Sequence, residues 1–169
     1  MGGWGILILA GERAAGLRAI ERSLALNPNS ALAWCFSGLG QSYDNRSAQA
    51  IQALQQAMRL SPRDPQPWVF YGGLATAHFA AGRCEEAIGW ADRALQAQPR
   101  MTSVIGVKAA ACGQLGRVEE GRECVRRLSD LYPGSPTIAG SRQLWGKFVS
   151  SEFLATWIDG LRKAGLPEG

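Results

Sequence analysis

The chain has one histidine, His78, among its 169 residues, and no Cys, Asp or Ser is arranged around it in a recognisable catalytic pattern. Its four cysteines, Cys35, Cys84, Cys112 and Cys124, form no C-x-x-C pair and have no nearby histidine to complete a site. That argues against zinc or a redox pair and suits buried or half-buried thiols in a reducing compartment. No stretch approaches the ~18 consecutive apolar residues that a membrane-spanning helix needs. The opening Met1-Gly2-Gly3-Trp4-Gly5-Ile6-Leu7-Ile8-Leu9 lacks the basic start and small-residue cleavage pattern of a signal peptide. It also carries Ile6 where a myristoylation signal needs Ser or Thr. The expected location is cytoplasmic. Gly72-Gly73 is no phosphate loop, because no strand pattern precedes it and no Lys-Ser/Thr follows. Neither catalysis, nor a metal, nor any cofactor is expected.

Charge of one sign is also scarce. The net charge of +4 is modest, and from Arg117 to Asp130 arginines alternate with acidic residues rather than gathering with aromatics on one face. Nucleic-acid binding is therefore not expected. Glu85-Glu86 and Glu119-Glu120 follow turns, where carboxylates at a helix N-terminus favour its dipole without any catalytic role. β-branched residues are few while Ala and Gly are abundant, a composition suited to closely packed helices.

What is present is a period. The stretch 30–62 opens Ser30-Ala31-Leu32-Ala33-Trp34, turns at Asp44-Asn45-Arg46, runs Ala50-Ile51-Gln52-Ala53-Leu54-Gln55-Gln56-Ala57 and closes Leu60-Ser61-Pro62. Shifted by 34 residues, Trp34 falls on Trp68; Pro28, Pro62, Pro99 and Pro133 are 34, 37 and 34 apart. A fixed spacing in this range marks a solenoid of stacked helical hairpins. Gly38 and Gly72, then Ala50 and Ala57 with Ala87 and Ala94, are the small residues that let helices approach, and all four alanines are expected to be buried at helix crossings. The pattern predicts helices over 12–26, Ala31 to about Tyr43, and about Ser47 to Leu60. It makes the first helix of the second unit about one turn longer, with Thr76 to Phe79 as the addition. Later turns fall at Gly82-Arg83 and Gly116-Arg117. The third unit is degenerate, with Ile105 for the tryptophan and Gly121 and Leu128 for the two alanines. A weaker helix is predicted from Thr137 to Trp145. A stronger one follows from Ser150 or Ser151 to Lys163, stopped at Gly165-Leu166-Pro167, with Phe153, Leu154, Trp157, Ile158 and Leu161 on one face.

With small, aromatic and proline positions in phase, residues 12–135 resemble the tetratricopeptide family. The resemblance implies an all-α solenoid of antiparallel helix pairs in a right-handed superhelix, closed by a C-terminal capping helix. The expected organisation is an apolar remnant (1–11), a half repeat (12–30), three repeats (31–64, 65–101, 102–135), and capping helices with a tail (136–169). A narrower likeness lies in "LNPNSALAW" (26–34), "LSPRDP" (60–65), "AHFAAGR" (77–83) and "GLRKAGLPE" (160–168). These stretches look like the repeat region that follows class III adenylate or guanylate cyclase domains, or winged-helix regulator domains, in bacterial proteins. The cyclase metal-binding aspartates and the DNA-reading domain are missing here, so only an accessory, regulatory or oligomerisation role transfers.

The family also implies a site. Tetratricopeptide arrays bind protein or peptide partners on the concave face lined by the first helix of each repeat. Matched position by position, that face has Leu32, Cys35, Leu39, Ser42 and Tyr43 in the first repeat. The second adds Gln66, Val69, Gly73 and Thr76; the third adds Ser103, Gly106, Ala110, Gly113 and Gln114. Members that clamp a C-terminal carboxylate carry Lys, Arg and Asn at several of these positions, whereas here most are apolar or small, and Lys108 falls on the packing phase. The expected function is a protein-interaction module with a shallow, mostly apolar groove for a helical or extended segment. Either a partner or the chain's own C-terminal helix could fill it. The apolar face of helix 12–26, with Leu17, Ile20 and Leu24, and the Ile6–Leu9 run are expected to promote self-association through the N-terminal end.

Overall fold

The computed structural model describes residues 13–132 and 136–169, with side chains described from Ala15 onward; the Ile6–Leu9 run and Pro133 lie outside them. All regular structure among the described residues is α-helical. A single helix, α1 (Arg13–Leu26), precedes three hairpins: α2 (Ala31–Tyr43) with α3 (Ser47–Leu60), α4 (Pro67–Ala80) with α5 (Cys84–Ala97), and α6 (Thr102–Gln114) with α7 (Val118–Leu131). A short α8 (Ile138–Trp145) and the longer α9 (Ser151–Lys163) complete the chain.

Local chemistry fixes the ends of these helices. Ser30 and Ser150 are N-caps whose hydroxyls accept from the Ala33 and Phe153 amides, and Thr137 does the same for Gly140. Each hairpin turns through one left-handed residue, Asn45, Gly82 or Gly116, with φ of 60°, 71° and 71°. The arginine after each donates its amide back across the turn: Arg46 to the Gln41 carbonyl, Arg83 to His78, Arg117 to Cys112. This is the Schellman closure, which needs glycine or, at some expense, asparagine at the turn. Gly165 closes α9 in the same way, with Leu166 donating to Leu161.

One expected helix length is corrected. Relative to the 34-residue shift, α4 ends three residues late but also begins two residues late. It has 14 residues against 13 in α2, so the gain is one residue and not a turn. The delay arises because Pro65 stays outside the helix and Pro67 takes its first position, where the missing amide costs nothing. Asp64 holds the connection, accepting from the Ser61 hydroxyl and the Gln66 amide.

Small residues set the helix spacing. Ala50, Ala57, Ala87 and Ala94 are all 0 % exposed, as the period requires. Leu54 is equally buried, wedged between two glycines: a Cβ on Gly38 would lie 2.6 Å from its Cγ, and one on Gly73 2.5 Å from its Cδ2. Gly72 faces the other way, onto Val104 of α6. The four thiols are all free and buried. Cys35 is pushed up to about 12, by burial first and by Asp64 second, which leaves it a packing residue rather than a nucleophile. His78 is half-buried and its pKa is lowered, mainly by burial and then by Arg83.

The inner groove and the helix that lies in it

Helix α9 touches the first helix of every hairpin. Its N-terminus starts over α2, where the Ser150 amide donates to the Tyr43 carbonyl at 2.8 Å and Asn45 Nδ2 donates to Glu152 at 2.8 Å. One turn on, the Phe153 ring meets Tyr43 edge-on at 5.4 Å and Phe79 of α4 at 5.8 Å. The helix then runs along α6. Trp157 covers Gly106, and Gly160 comes so close that a Cβ there would lie 2.4 Å from the Ala110 carbonyl oxygen. A Cβ on Gly113 would lie 2.0 Å from the Gly160 carbonyl oxygen. The helix end reaches the second helix of the last hairpin, with Ala164 against Gly121.

The sequence explains the seat. Phe153, Trp157 and Gly160 are spaced i, i+4, i+7, which puts them on one face of a helix. That face sets Phe153 against Tyr43 and Phe79, Trp157 against Gly106, and a glycine where two backbones meet. Trp145 of α8 adds to the aromatic end, 6.0 Å from Tyr43 and 5.7 Å from Trp157. Such ring pairs contribute roughly 0.5–1.5 kcal/mol each beyond their burial. The outer face is polar: Gln114 Nε2 donates to the Thr156 carbonyl and to Asp159. Lys163 pairs with Asp159 at 2.6 Å. The Lys163 hydrogen bond, helped by the Gln114 amide, holds the Asp159 carboxyl below the usual carboxylate range.

The groove positions taken from the sequence separate into three groups. Tyr43, Gly106, Ala110, Gly113 and Gln114 all lie against α9; burial raises the Tyr43 phenol pKa. Others serve the packing of the array itself: Leu39 is buried, Ser42 and Thr76 bond to the Gly38 and Gly72 carbonyls of their own helices, and Gly73 meets Leu54 of α3. Cys35, also buried, directs its thiol at the Val69 carbonyl, 3.9 Å away. Leu32 and Gln66 are exposed, Val69 and Ser103 half-exposed. Two residues that touch α9 or its aromatic cluster, Phe79 and Trp145, are absent from the expected set. Phe79 could have been found, since it closes the Thr76–Phe79 addition at the end of α4. Lys108 sits on the packing side, paired with Asp92 at 2.5 Å; burial opposes its charge, but this pair outweighs it and raises the pKa.

These hairpins, with small residues at their crossings and their first helices side by side, define an α-solenoid. Its particular kind is the tetratricopeptide fold: residues 37–101 match the tetratricopeptide repeat family. Among solved structures, TTC0263, a thermophilic tetratricopeptide protein of Thermus thermophilus, is 21 % identical over 95 % of this chain and 88 % of its own, with a TM-score of 0.65. YrrB, a tetratricopeptide protein with an unusual peptide-binding site, is 16 % identical over 95 % and 80 %, TM-score 0.56. MamA is 18 % identical over 88 % and 84 %, TM-score 0.59. Likeness at these identities is likeness of fold. No protein of curated function matches the sequence.

Proposed function

We propose that the chain is a protein-interaction module that takes an amphipathic helix of a partner along the first helices of its hairpins, in place of α9. The observation behind this reading is that a helix already lies there, seated on α2, α4 and α6 by Phe153, Trp157 and Gly160. A partner segment would present the same spacing, an aromatic at i and i+4 and a small residue at i+7. Helix-in-groove recognition rests on such anchors. Because α9 is tethered, its effective concentration is high, and a partner must exceed it or act when it is released.

The test uses the full chain carrying Phe153→Ala and Trp157→Ala, which weakens the resident helix, and a labelled peptide of residues 150–169. The peptide is expected to bind this variant with Kd below ~100 μM, about −5.5 kcal/mol, and to bind the wild-type chain at least about tenfold more weakly. Adding Tyr43→Ala and Phe79→Ala should abolish binding. Equal binding to all three, or none to any, would overturn the reading.

Self-association through α1 is a second reading, favoured by Leu26, which is 80 % exposed, and by Leu32 at 55 % on the neighbouring helix. Leu17 is turned inward, and a Cβ on Gly40 would lie 2.7 Å from its Cδ2. Sedimentation at ~100 μM, above the range of ordinary weak association, is expected to show a dimer that Leu26→Glu dissociates. A monomeric wild-type chain at that concentration would remove this reading.

A further inference from the structure

Helix α8 has eight residues, fewer than the roughly 12–15 at which a helix begins to persist in water on its own. It therefore depends on what satisfies its ends and holds its side chains. The first amides of a helix have no acceptor within it. In α8 the first three are all met. Gly140 donates to the Thr137 hydroxyl, Ile138 to the Pro167 carbonyl at 2.8 Å, and Ala139 to the Glu168 carbonyl at 2.9 Å. Two of the three acceptors come from the segment that follows α9.

That segment is itself fastened to α9. Gly165 takes a φ of 93°, which turns the chain back so that the Leu166 amide reaches the Leu161 carbonyl. The Leu166 side chain is buried in the same apolar cluster as Ile138, Ile158 and Leu161. Arg162 pairs with Glu168, an exposed pair that adds little. The far end of α8 also rests on α9: Trp145 meets Trp157 edge-on, and a Cβ on Gly146 would lie 3.6 Å from Leu154 Cδ2. The ring that Trp145 meets on the array is Tyr43, which α9 already holds through Phe153.

We propose that residues 166–168 are the latch of the groove: they tie α8 to α9, so that α8, α9 and this segment leave the array as one unit. The proposal rests on the reading of the groove as a binding site and adds where its opening is controlled. When the Pro167 and Glu168 carbonyls are withdrawn, α8 is too short to persist, Trp145 leaves Tyr43 and Trp157, and α9 loses one side of its seat. A partner segment thus meets a groove whose opening is set at 166–168, away from the Phe153 and Gly160 contacts that it would replace.

Native-state hydrogen exchange on the full wild-type chain tests the latch without any ligand. First-turn amides have no helical acceptor to protect them. Those of Ile138 and Ala139 are nevertheless expected to share the protection factors of Ile158 and Leu161 within about threefold, the mark of one cooperative unit. All four should exchange at least about tenfold faster than the array amides of Leu54 and Leu74, which open last. Leu166→Ala, which removes the buried anchor of the segment, should speed all four by one common factor of at least about tenfold. The labelled 150–169 peptide should then bind Leu166→Ala more tightly than the wild-type chain by about that factor, because apparent affinity follows the fraction of open groove. Ile138 and Ala139 exchanging more than about tenfold faster than Ile158 and Leu161 would overturn the latch. So would a Leu166→Ala chain in which α8 amides speed up while those of α9 do not, or α9 amides as slow as those of Leu54 and Leu74. Common exchange with no peptide bound to either chain would instead remove the interaction reading and leave the cooperative unit standing.

Discussion

Gly160→Leu is expected to lower the unfolding midpoint by roughly 6–12 °C, corresponding to about 3 kcal/mol in a chain of this size. Overpacking a side-chain crossing typically costs ~1–3 kcal/mol, and the neighbour can often shift. Here a Cβ would meet the Ala110 carbonyl oxygen at 2.4 Å and its Cα at 2.9 Å, and α6 cannot yield because Ala110 and the residues around it are buried in the array. The substitution should therefore lift α9 away, exposing Phe153, Trp157, Ile158 and Leu161. Trp157 emission should shift to the red, and proteolysis near Ser150 should precede global unfolding. Gly89→Ala supplies the contrast. It lies mid-helix in α5 with nothing within 4 Å of its added Cβ, so it should stabilise by about 0.5–1 kcal/mol. Thermal unfolding of both variants decides the matter: an unchanged midpoint in Gly160→Leu would mean that α9 is held by something other than this backbone contact.

The array was legible in the sequence because its determinants are local. Caps at Ser30 and Ser150, turns around Asn45, Gly82 and Gly116, and paired alanines each follow from a few neighbouring residues, whereas Thr137, read as the first residue of its helix, is its cap. The start of α4 is ambiguous in the sequence because two prolines stand within three residues and either could occupy a first helical position. The place of α9 could not be read in the same way. Its apolar face suits equally a cap over α6 and α7 or an occupant of the groove, and only the spacing of Phe153 to Tyr43 and Phe79 chooses. Gly72 and Gly73 show the same limit, since adjacent glycines in one helix serve α6 and α3 respectively.

The narrower resemblance has the same local origin. In "LNPNSALAW" the serine is an N-cap and Trp34 Nε1 donates to the Pro28 carbonyl. "LSPRDP" contains the Ser61–Asp64 turn. "AHFAAGR" and "GLRKAGLPE" are Schellman closures at Gly82 and Gly165. Each stretch is therefore accounted for by how a helix starts or stops. They support the repeat architecture, and a link to cyclase or winged-helix regulators rests on them alone.

The wedge at Leu54 gives the second large effect and a test of the packing account that does not involve α9. Leu54→Ala removes a fully buried side chain from between α2, α3 and α4 and should cost about 2–5 kcal/mol. Gly73→Ala alone should also destabilise, by about 1–3 kcal/mol, because its Cβ would lie 2.5 Å from Leu54 Cδ2. The three atoms nearest that Cβ, Cγ, Cδ1 and Cδ2, all belong to Leu54, so the two changes cannot be independent. In a Leu54→Ala background the added methyl enters vacated space, and alanine is preferred to glycine in a helix by up to about 1 kcal/mol. Gly73→Ala should there become neutral or stabilising, giving a coupling of at least about 1 kcal/mol in a double-mutant cycle measured by urea unfolding. Gly38→Ala should be rescued less completely, because its Cβ also lies 2.9 Å from the Ala50 carbonyl oxygen, which remains when Leu54 is truncated. Additivity of Leu54→Ala and Gly73→Ala within ~0.5 kcal/mol, the behaviour of sites that share no contact, would show that α4 does not rest on Leu54.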